Sequence, residues 1–335
     1  MLYADDRRVG DHGIGQFARQ VLTGIRYSRV TLKSDPDSPL DPLLLTRFLR
    51  KLKPDDLFFS PGYNPPLSCP APFLVTLHDL NHLDRPENSN APKRLYYEVI
   101  VKRACHMAAA VLTVSEFSRQ RIAEWSGVAV NKIINVGCGV GPEFHPDVAS
   151  HPLEFPYIFC ASNRRKHKNE FRLVEAFARS EVAKEIRLVL TGEPTVELMH
   201  HIRRNGIQQR VHFMGHVPAA ELPSLHRSAQ AHVFPSLYEG FGIPAIEAMA
   251  CGTPLVTSNT TALPEVVGDA ALLVDPTSVD QIAEAITRIL HHSALRQELR
   301  ARGFARAAQF PWTRTTSLVR RAMRQASAGS VIEEG

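Results

Sequence analysis

Short apolar runs alternate with longer amphipathic stretches along the chain. The runs predict buried strands and the stretches predict helices, in the order that a parallel sheet with crossover helices requires. The alternation stops at residues 142–156, which contain four prolines and no helical period, and then starts again. The pattern therefore predicts two α/β halves joined by a linker. The predicted strands are Leu2–Ala4, Val30–Leu32, Leu57–Ser60, Phe73–Leu77, Val111–Val114, Ile133–Val136, Tyr157–Ala161, Arg187–Thr191, Val211–Met214, His232–Phe234, Leu255–Thr257 and Ala271–Val274. The predicted helices are Gly15–Gly24, Asp41–Leu52, Pro92–Ala108, Ser115–Trp125, Glu170–Arg179, Thr195–Asn205, Ala219–Ser228, Pro244–Ala250, Val279–His291, Ala294–Ala308 and Thr313–Ala326.

Two such halves predict an α/β protein with two Rossmann-like domains, at residues 1–150 and 151–310. A last helix at residues 311–330 is expected to pack back on the first domain. A length of 335 residues suits two domains of ordinary size. Since ligands of parallel sheets bind at the carboxyl ends of the strands, we expect the binding site there, in a cleft between the halves.

The composition is that of a globular enzyme, with 44% hydrophobic and 22% charged residues. No apolar run approaches the ~20 residues that span a bilayer, and the first residues lack the apolar core of a signal peptide. Five scattered cysteines form no C-x-x-C pair, which excludes a zinc ribbon and a dense disulfide framework and fits the reducing cytoplasm. We therefore expect a cytoplasmic protein.

Residues 235–254 place two glutamates around a glycine-rich turn that opens a helix. Gly240 and Gly242 permit a tight turn after a buried strand. Glu239 is predicted on the loop and Glu247 about one turn inside the helix, beside backbone N–H groups that attract anions. Paired carboxylates next to a phosphate site suit a nucleotide sugar, because they can accept hydrogen bonds from its hydroxyls.

This stretch resembles the E-x7-E signature of the retaining glycosyltransferases of family 4, and the likeness continues through residues 251–276. The resemblance implies the GT-B fold, in which two Rossmann-like domains with parallel sheets face each other across a cleft. It also implies sugar transfer from a nucleotide diphosphate to an acceptor hydroxyl, without a metal or another cofactor. Glu239 would then bind the donor sugar and Glu247 the ribose. The donor loop would contain Gly240, Phe241 and Gly242.

The basic segment 163–169, NRRKHKN, lies between a predicted strand and a predicted helix. Four Lys and Arg side chains at the end of a strand suit a diphosphate, although a solvated loop is the alternative. The family pattern here is G-T-x-x-P-R-K-N, whose Lys neutralises the leaving diphosphate, and Lys168 aligns with it. Because His167 stands where the family has Arg, the second cation is assigned to Arg164 or Arg165.

Gly13-x-Gly15-x-x-Ala18 formally satisfies a dinucleotide-binding fingerprint, with Asp35 at the separation of a ribose contact. In that motif the first glycine directly follows the strand, whereas residues 5–12 intervene here. We therefore favour a flexible loop near the donor phosphates and the acceptor, as the family has at this place. An NAD-dependent enzyme stays open as the alternative.

His78 and His82 have the i, i+4 spacing of a metal pair, but only in a helix, and Pro86 favours a loop. No metal site is therefore expected. The family has H-D-L at this place, and the resemblance assigns His78 to the donor sugar or its phosphate. Asp35-Pro36-Asp37 looks like the metal-binding D-x-D of the GT-A fold, but its proline-rich surroundings predict a turn.

The net charge of +5 is modest, but basic residues concentrate in the C-terminal helical region. A solvated helix face and contact with an anionic membrane surface are both open, the latter at ~1 kcal/mol per basic residue near the lipid. Nucleic acid is not expected as a partner, because no binding motif accompanies the charge. The arginines are Arg296, Arg300, Arg302, Arg306, Arg314, Arg320, Arg321 and Arg324, and a smaller cluster contains Lys93, Arg94, Lys102 and Arg103.

These observations predict a glycosyltransferase that resembles bacterial mannosyltransferases of polysaccharide assembly. Mannose from GDP-mannose is the favoured donor, and a lipid-linked glycan or polysaccharide precursor is the expected acceptor. The membrane surface would be a third partner. Besides the NAD enzyme, a non-catalytic protein that binds a nucleotide sugar without transferring it stays open.

Overall fold

The computed structural model describes residues 1–10 and 12–328 of the chain. They form two compact units. The first unit contains residues 1–138 and the described residues from Trp312 onward, and the second is Gly139–Pro311.

The second unit begins at Gly139. The sequence predicted this boundary at residue 150, within the proline-rich segment, which lies further along the chain. The difference arises because the chain after Gly139 is fastened inside the second unit. The Val140 N–H donates to the Phe310 carbonyl at 2.9 Å, and Val140 forms an isolated parallel bridge with Pro311.

The first unit contains six strands: β1 (Leu2–Ala4), β2 (Ser28–Arg29), β3 (Leu57–Ser60), β4 (Phe73–Thr76), β5 (Ala110–Thr113) and β6 (Ile133–Asn135). They form one parallel sheet in the order β2-β1-β3-β4-β5-β6. The second strand was predicted at Val30–Leu32, but Ser28 and Arg29 are the residues that pair with β1. Val30 follows them and contributes a buried side chain instead.

Helices cover both faces of this sheet. Those before residue 138 are α1 (Gly13–Leu22), α2 (Asp41–Leu49), α3 (Asn81–Asp84), α4 (Ala91–Tyr96), α5 (Lys102–Met107) and α6 (Glu116–Ser126). A π-helix, Tyr97–Val101, joins α4 to α5, so residues 91–107 form one continuous helix, called helix 91–107 below. The inner side chains of α2, helix 91–107 and α6 share one apolar cluster with β4 and β5. Ser115 caps α6, and its Oγ accepts from the Ser118 N–H at 3.0 Å.

The second unit repeats this architecture. Its strands are β7 (Tyr157–Cys160), β8 (Arg187–Leu190), β9 (Val211–Phe213), β10 (Ala231–Phe234), β11 (Leu255–Ser258) and β12 (Ala271–Val274), all parallel and in the order β12-β11-β10-β7-β8-β9. Its helices are α7 (Glu170–Arg179), α8 (Val196–Arg204), α9 (Leu222–Ser228), α10 (Ile243–Ala250), α11 (Leu263–Val267), α12 (Val279–His291) and α13 (Ser293–Ala307). The predicted α/β class with two parallel sheets is therefore confirmed.

The last described helix, α14 (Trp312–Ser327), belongs to the first unit. It packs against α1 and contacts β3, β4 and β5. Buried α1 side chains such as Phe17 and Val21 lie outside the cluster under α2, so α1 and α14 cover the other face of the sheet. Within the described residues, no helix combines the length and apolarity needed to cross a membrane.

Five of the eight C-terminal arginines have protein partners, whereas Arg321 and Arg324 of α14 are exposed. Arg300 and Arg306 of α13 donate to the carbonyls of Gly252 and Val266, each at 2.8 Å. Arg296 donates to the Ile289 carbonyl at the end of α12, 2.9 Å away. These guanidinium groups satisfy backbone carbonyls that helix and loop ends leave without partners. Two more are engaged: Arg302 pairs with Glu298 and Asp269, and Arg320 donates to the Thr23 carbonyl.

Candidate functional site

The glycine-rich turn of the second unit is shaped by one residue with positive φ. Gly242 is the N-cap of α10 and has φ +98°. A Cβ atom at this position would lie 2.6 Å from the Leu263 side chain, so both its conformation and its surroundings require glycine. Pro244 occupies the first turn of α10, and no side chain caps the helix. Its first N–H groups can therefore bind an anion.

Lys168 and Glu239, two of the predicted site residues, form an ion pair in the structure. The Lys168 Nζ lies 2.7 Å from Glu239 Oε1, and both side chains are largely buried. The Lys168 ammonium also lies 4.9 Å from the centre of the Phe234 ring. Because an ammonium has three N–H donors, Lys168 can keep Glu239 and still donate to a phosphate.

Residues that the sequence analysis did not assign hold this pair in position. The Ser236 hydroxyl donates to the Glu239 carboxylate, and the Glu239 N–H donates to Thr261 Oγ1 at 3.2 Å. Asn169 has φ +63°, and its Nδ2 donates to the carbonyls of Pro235 and Pro276 at 2.9 and 2.6 Å. The amide thereby fastens the basic loop to the ends of β10 and β12. An Asn directly after the Lys was the available signal, since Asn tolerates positive φ.

The two candidates for the second cation differ in their surroundings. Arg164 pairs with Glu170 and donates to the carbonyls of Gly192 and Glu193, each at 2.8 Å. Its guanidinium therefore stabilises the loop and has its donors engaged by the protein. Arg165 is exposed; its carbonyl accepts from the Lys168 N–H at 2.9 Å, but none of the described residues forms a hydrogen bond or ion pair with its guanidinium. Of the two, Arg165 is the side chain whose donors are available to a ligand.

Glu247 lies on α10 with its carboxyl group buried. Burial raises its pKa to about 8, with a further contribution from Glu143. His226 Nε2 is 4.0 Å away, but burial lowers the pKa of His226 to about 3, so the ring is neutral. No residue within the described ranges donates a hydrogen bond to this carboxylate. A buried carboxylate without donors is stable only when protonated or when a ligand supplies them.

His78 belongs to the first unit, where it follows β4. Its Nε2 donates to the Pro61 carbonyl at 3.0 Å, and the ring packs edge-on against Phe17. Burial lowers the pKa of His78 to about 4, so it is neutral near pH 7. Its Nδ1 is then an acceptor, which suits a sugar hydroxyl.

Gly13 and Gly15 lie in the first turn of α1, also in the first unit. The Gly15 N–H donates to Nδ1 of His12, which caps the helix. A Cβ on Gly15 would lie 2.5 Å from the Gly10 backbone nitrogen, because the loop after β1 folds directly over it. This close approach explains why position 15 requires glycine, and no bound dinucleotide is needed to explain it.

The described residues contain no group of three or more His, Cys, Asp or Glu side chains that could hold a metal ion. Asp37, from the D-x-D-like triplet, lies in a turn and accepts from Arg8 and Tyr63 at 2.7 and 2.9 Å. His82 lies in α3, not in a loop, and its Nδ1 is 2.8 Å from the Asn88 carbonyl oxygen. The two residues thus have protein partners.

Two family models match consecutive parts of the chain. The model for Glycosyltransferase Family 4 matches residues 4–144, and the model for Glycosyl transferases group 1 matches residues 143–306. The chain belongs to the family 4 glycosyltransferases. It is 32% identical over 258 residues to the O-antigen chain mannosyltransferase B of Escherichia coli, which covers 73% of this chain and 68% of that protein. It is 35% identical over 218 residues to the MMP alpha-(1->4)-mannosyltransferase of Mycolicibacterium hassiacum, and this match covers 63% of this chain and 53% of that protein.

The glycosyltransferase also resembles solved structures over nearly its whole length. Sucrose-phosphate synthase from Thermosynechococcus elongatus superposes with a TM-score of 0.76 at 22% identity, covering 98% of this chain and 99% of that one. This likeness confirms the predicted GT-B fold class. Because the chain belongs to this family, the protein is an enzyme of the glycosyltransferase class.

Proposed function

We propose that this glycosyltransferase transfers mannose from GDP-mannose to a hydroxyl of a lipid-linked glycan, with retention of the anomeric configuration. The observation that carries the proposal is the Lys168–Glu239 ion pair beside the uncapped N-terminus of α10. Cationic and N–H donors there suit a diphosphate, and the carboxylate suits sugar hydroxyls. The mannosyltransferase names of the two relatives support mannose as the sugar.

Each site residue has a distinct role in this proposal. Lys168 and the first N–H groups of α10 stabilise the charge that develops on the leaving diphosphate, and Arg165 is its second cation. Glu239 accepts hydrogen bonds from the mannose hydroxyls. Glu247 accepts from the ribose hydroxyls, which supply the donors that its buried carboxylate lacks. From the first unit, His78 is assigned to the donor sugar or its phosphate. Gly13 and Gly15 are assigned to the loop near the phosphates and the acceptor.

Retention is proposed to proceed by attack on the face that the leaving group departs from. The acceptor oxygen bonds to the anomeric carbon as the bond from that carbon to the phosphate oxygen breaks. The acceptor proton passes to the leaving phosphate, so no protein nucleophile is required. Lys168 supports this step because its ammonium offsets the charge of the diphosphate.

We further propose that the enzyme acts in the cytoplasm at the inner face of the cell membrane, without a metal cofactor. All five cysteines are free thiols, which fits a reducing compartment. A lipid-linked acceptor would make a membrane surface the third partner.

The proposal is tested with purified enzyme, a panel of nucleotide sugars and a lipid-linked glycan acceptor. GDP-mannose is expected to raise the midpoint of thermal unfolding and to give a mannosylated product, whereas UDP-sugars are expected to do neither. E239Q should lose transfer and keep the thermal shift. A shift with GDP-mannose but no product in any acceptor assay would instead support a non-catalytic binder.

A further inference from the structure

The outer face of α2 carries leucines where a surface helix normally carries polar residues. Leu40, Leu43 and Leu44 are 63%, 56% and 38% exposed. One turn further, Arg47 and Lys51 are exposed on the same segment. The α2 segment therefore combines apolar and cationic side chains on the side that faces away from the core.

Helix 91–107 repeats this combination. Leu95 and Val99 are 64% and 54% exposed, one turn apart. Arg94 and Arg103 are exposed beside them. Glu98, an acidic residue of this helix, lies 3.7 Å from the Lys102 ammonium, so part of its charge is offset.

The two outer faces point to the same side of the first unit. Leu45 and Leu49 of α2 and Tyr97 and Val101 of helix 91–107 belong to one apolar cluster on the sheet. Helices that pack side by side on one face of a sheet expose their opposite faces in the same direction. We call the exposed set the leucine–arginine face; it contains Leu40, Leu43, Leu44, Arg47, Leu95, Val99 and Arg103.

We propose that the leucine–arginine face docks the first unit on an anionic membrane surface. Five large apolar side chains are exposed on helices that cover the same face of the sheet, and such a grouping can mark an interaction surface. The arginines favour an anionic membrane as the partner, because their charge is complementary to that of the lipid phosphates. The leucines would enter the boundary between the headgroups and the acyl chains. The proposal deepens the proposed function, because a lipid-linked acceptor stays in such a membrane.

This surface replaces the C-terminal arginines as the membrane contact. On α13, Arg296, Arg300 and Arg306 are bound to carbonyls of the second unit. Arg321 and Arg324 of α14 are exposed, but they lie on the helix layer across the sheet from α2. They provide a control with the same change of charge at the other face.

The test is co-sedimentation of the full chain with vesicles of phosphatidylcholine that contain about 30% phosphatidylglycerol, at ~0.1 M salt. The wild type is expected to sediment with them and not with pure phosphatidylcholine. The variant L43S/L44S, which keeps every charge, and R47E/R103E should each bind at least about tenfold more weakly. R321E/R324E should bind within about twofold of the wild type. Circular dichroism identifies any variant that fails to fold, and L95S/V99S then replaces it.

Three results would overturn the inference. One is wild-type protein that stays in the supernatant with anionic vesicles. Another is an equal loss of binding in R47E/R103E and R321E/R324E, which would mean that overall charge alone drives binding. The third is a dimer without lipid that L43S/L44S converts to a monomer, since the face would then hold a second copy. Vesicle binding without transfer would refute the proposed function instead, and transfer to a detergent-solubilised acceptor without vesicle binding would refute this inference alone.

Discussion

Binding of a nucleotide sugar is expected to depend on pH through Glu247. Burial raises the pKa of its carboxyl group to about 8, so at pH 7 only about a tenth of the free enzyme carries the anion. Ribose hydroxyls need acceptors, and the anion offers more of them than the neutral acid does. Donor affinity should therefore fall about tenfold for each pH unit below 8, because only the ionised fraction is competent to bind.

The assay is calorimetric titration of GDP-mannose between pH 6 and pH 9, a range in which its diphosphate diester stays fully ionised. Titration in two buffers of different ionisation enthalpy reports the proton that Glu247 releases on binding. E247Q is the matched control, since it keeps the shape of the side chain and cannot ionise. A pH-independent affinity in the wild type, or the same slope in E247Q, would refute the assignment of Glu247 to the ribose.

Stability gives a second readout with a defined sign. The pKa of Glu247 is higher in the folded chain than the ordinary 4.5, so the folded state keeps a proton that the unfolded state loses. The contribution of Glu247 to stability therefore falls as pH rises from 4.5 to 8, by about 1.4 kcal/mol per unit. His226, whose pKa is lowered to about 3, has the opposite effect below pH 6.5, so the window from 6.5 to 8 isolates Glu247. In that window the stability of E247Q should decline less than that of the wild type.

Three further outcomes are expected. K168A should lower kcat by roughly 10²-fold, the scale for losing one donor to a developing anion, and K168R should recover part of it; unchanged turnover in K168A would move the diphosphate elsewhere. G242A should destabilise the protein by more than G137A, because both have positive φ but only Gly242 has a side chain, Leu263, within 3 Å of the added Cβ; equal unfolding midpoints would contradict this. Transfer should survive EDTA, and loss that Mg²⁺ or Mn²⁺ restores would overturn the metal-independent mechanism.

Amphipathic patterning was sufficient to predict most of the fold. The helices α7 and α12 have the predicted bounds because each has an apolar stripe and clear end signals, such as the Ser278 cap whose Oγ accepts from the Gln281 N–H. Short elements without a full apolar period were not predicted. The five-residue helix α11 and the four-residue helix α3 are examples, since both depend on packing more than on local sequence.

The candidate site was predictable where its residues directly follow strands of the same sheet. Glu239 and Lys168 each follow a strand of one parallel sheet, and strand ends meet at one edge, which explains their ion pair. Contacts that depend on tertiary placement could not be read from the sequence. His226, on a different helix, approaches Glu247, and Glu170 engages Arg164. Both contacts require side-chain positions that no local pattern specifies.

The anomeric configuration of the product tests the central claim most directly. The purified enzyme is incubated with GDP-mannose and a short lipid-linked glycan acceptor, and the one-bond carbon–proton coupling at the new anomeric centre is measured by NMR. Since the mannose of GDP-mannose is α-linked, retention predicts a new α-linked mannose in the wild type and no product in E239Q. A β-linked product, or release of free mannose without transfer, would contradict the account.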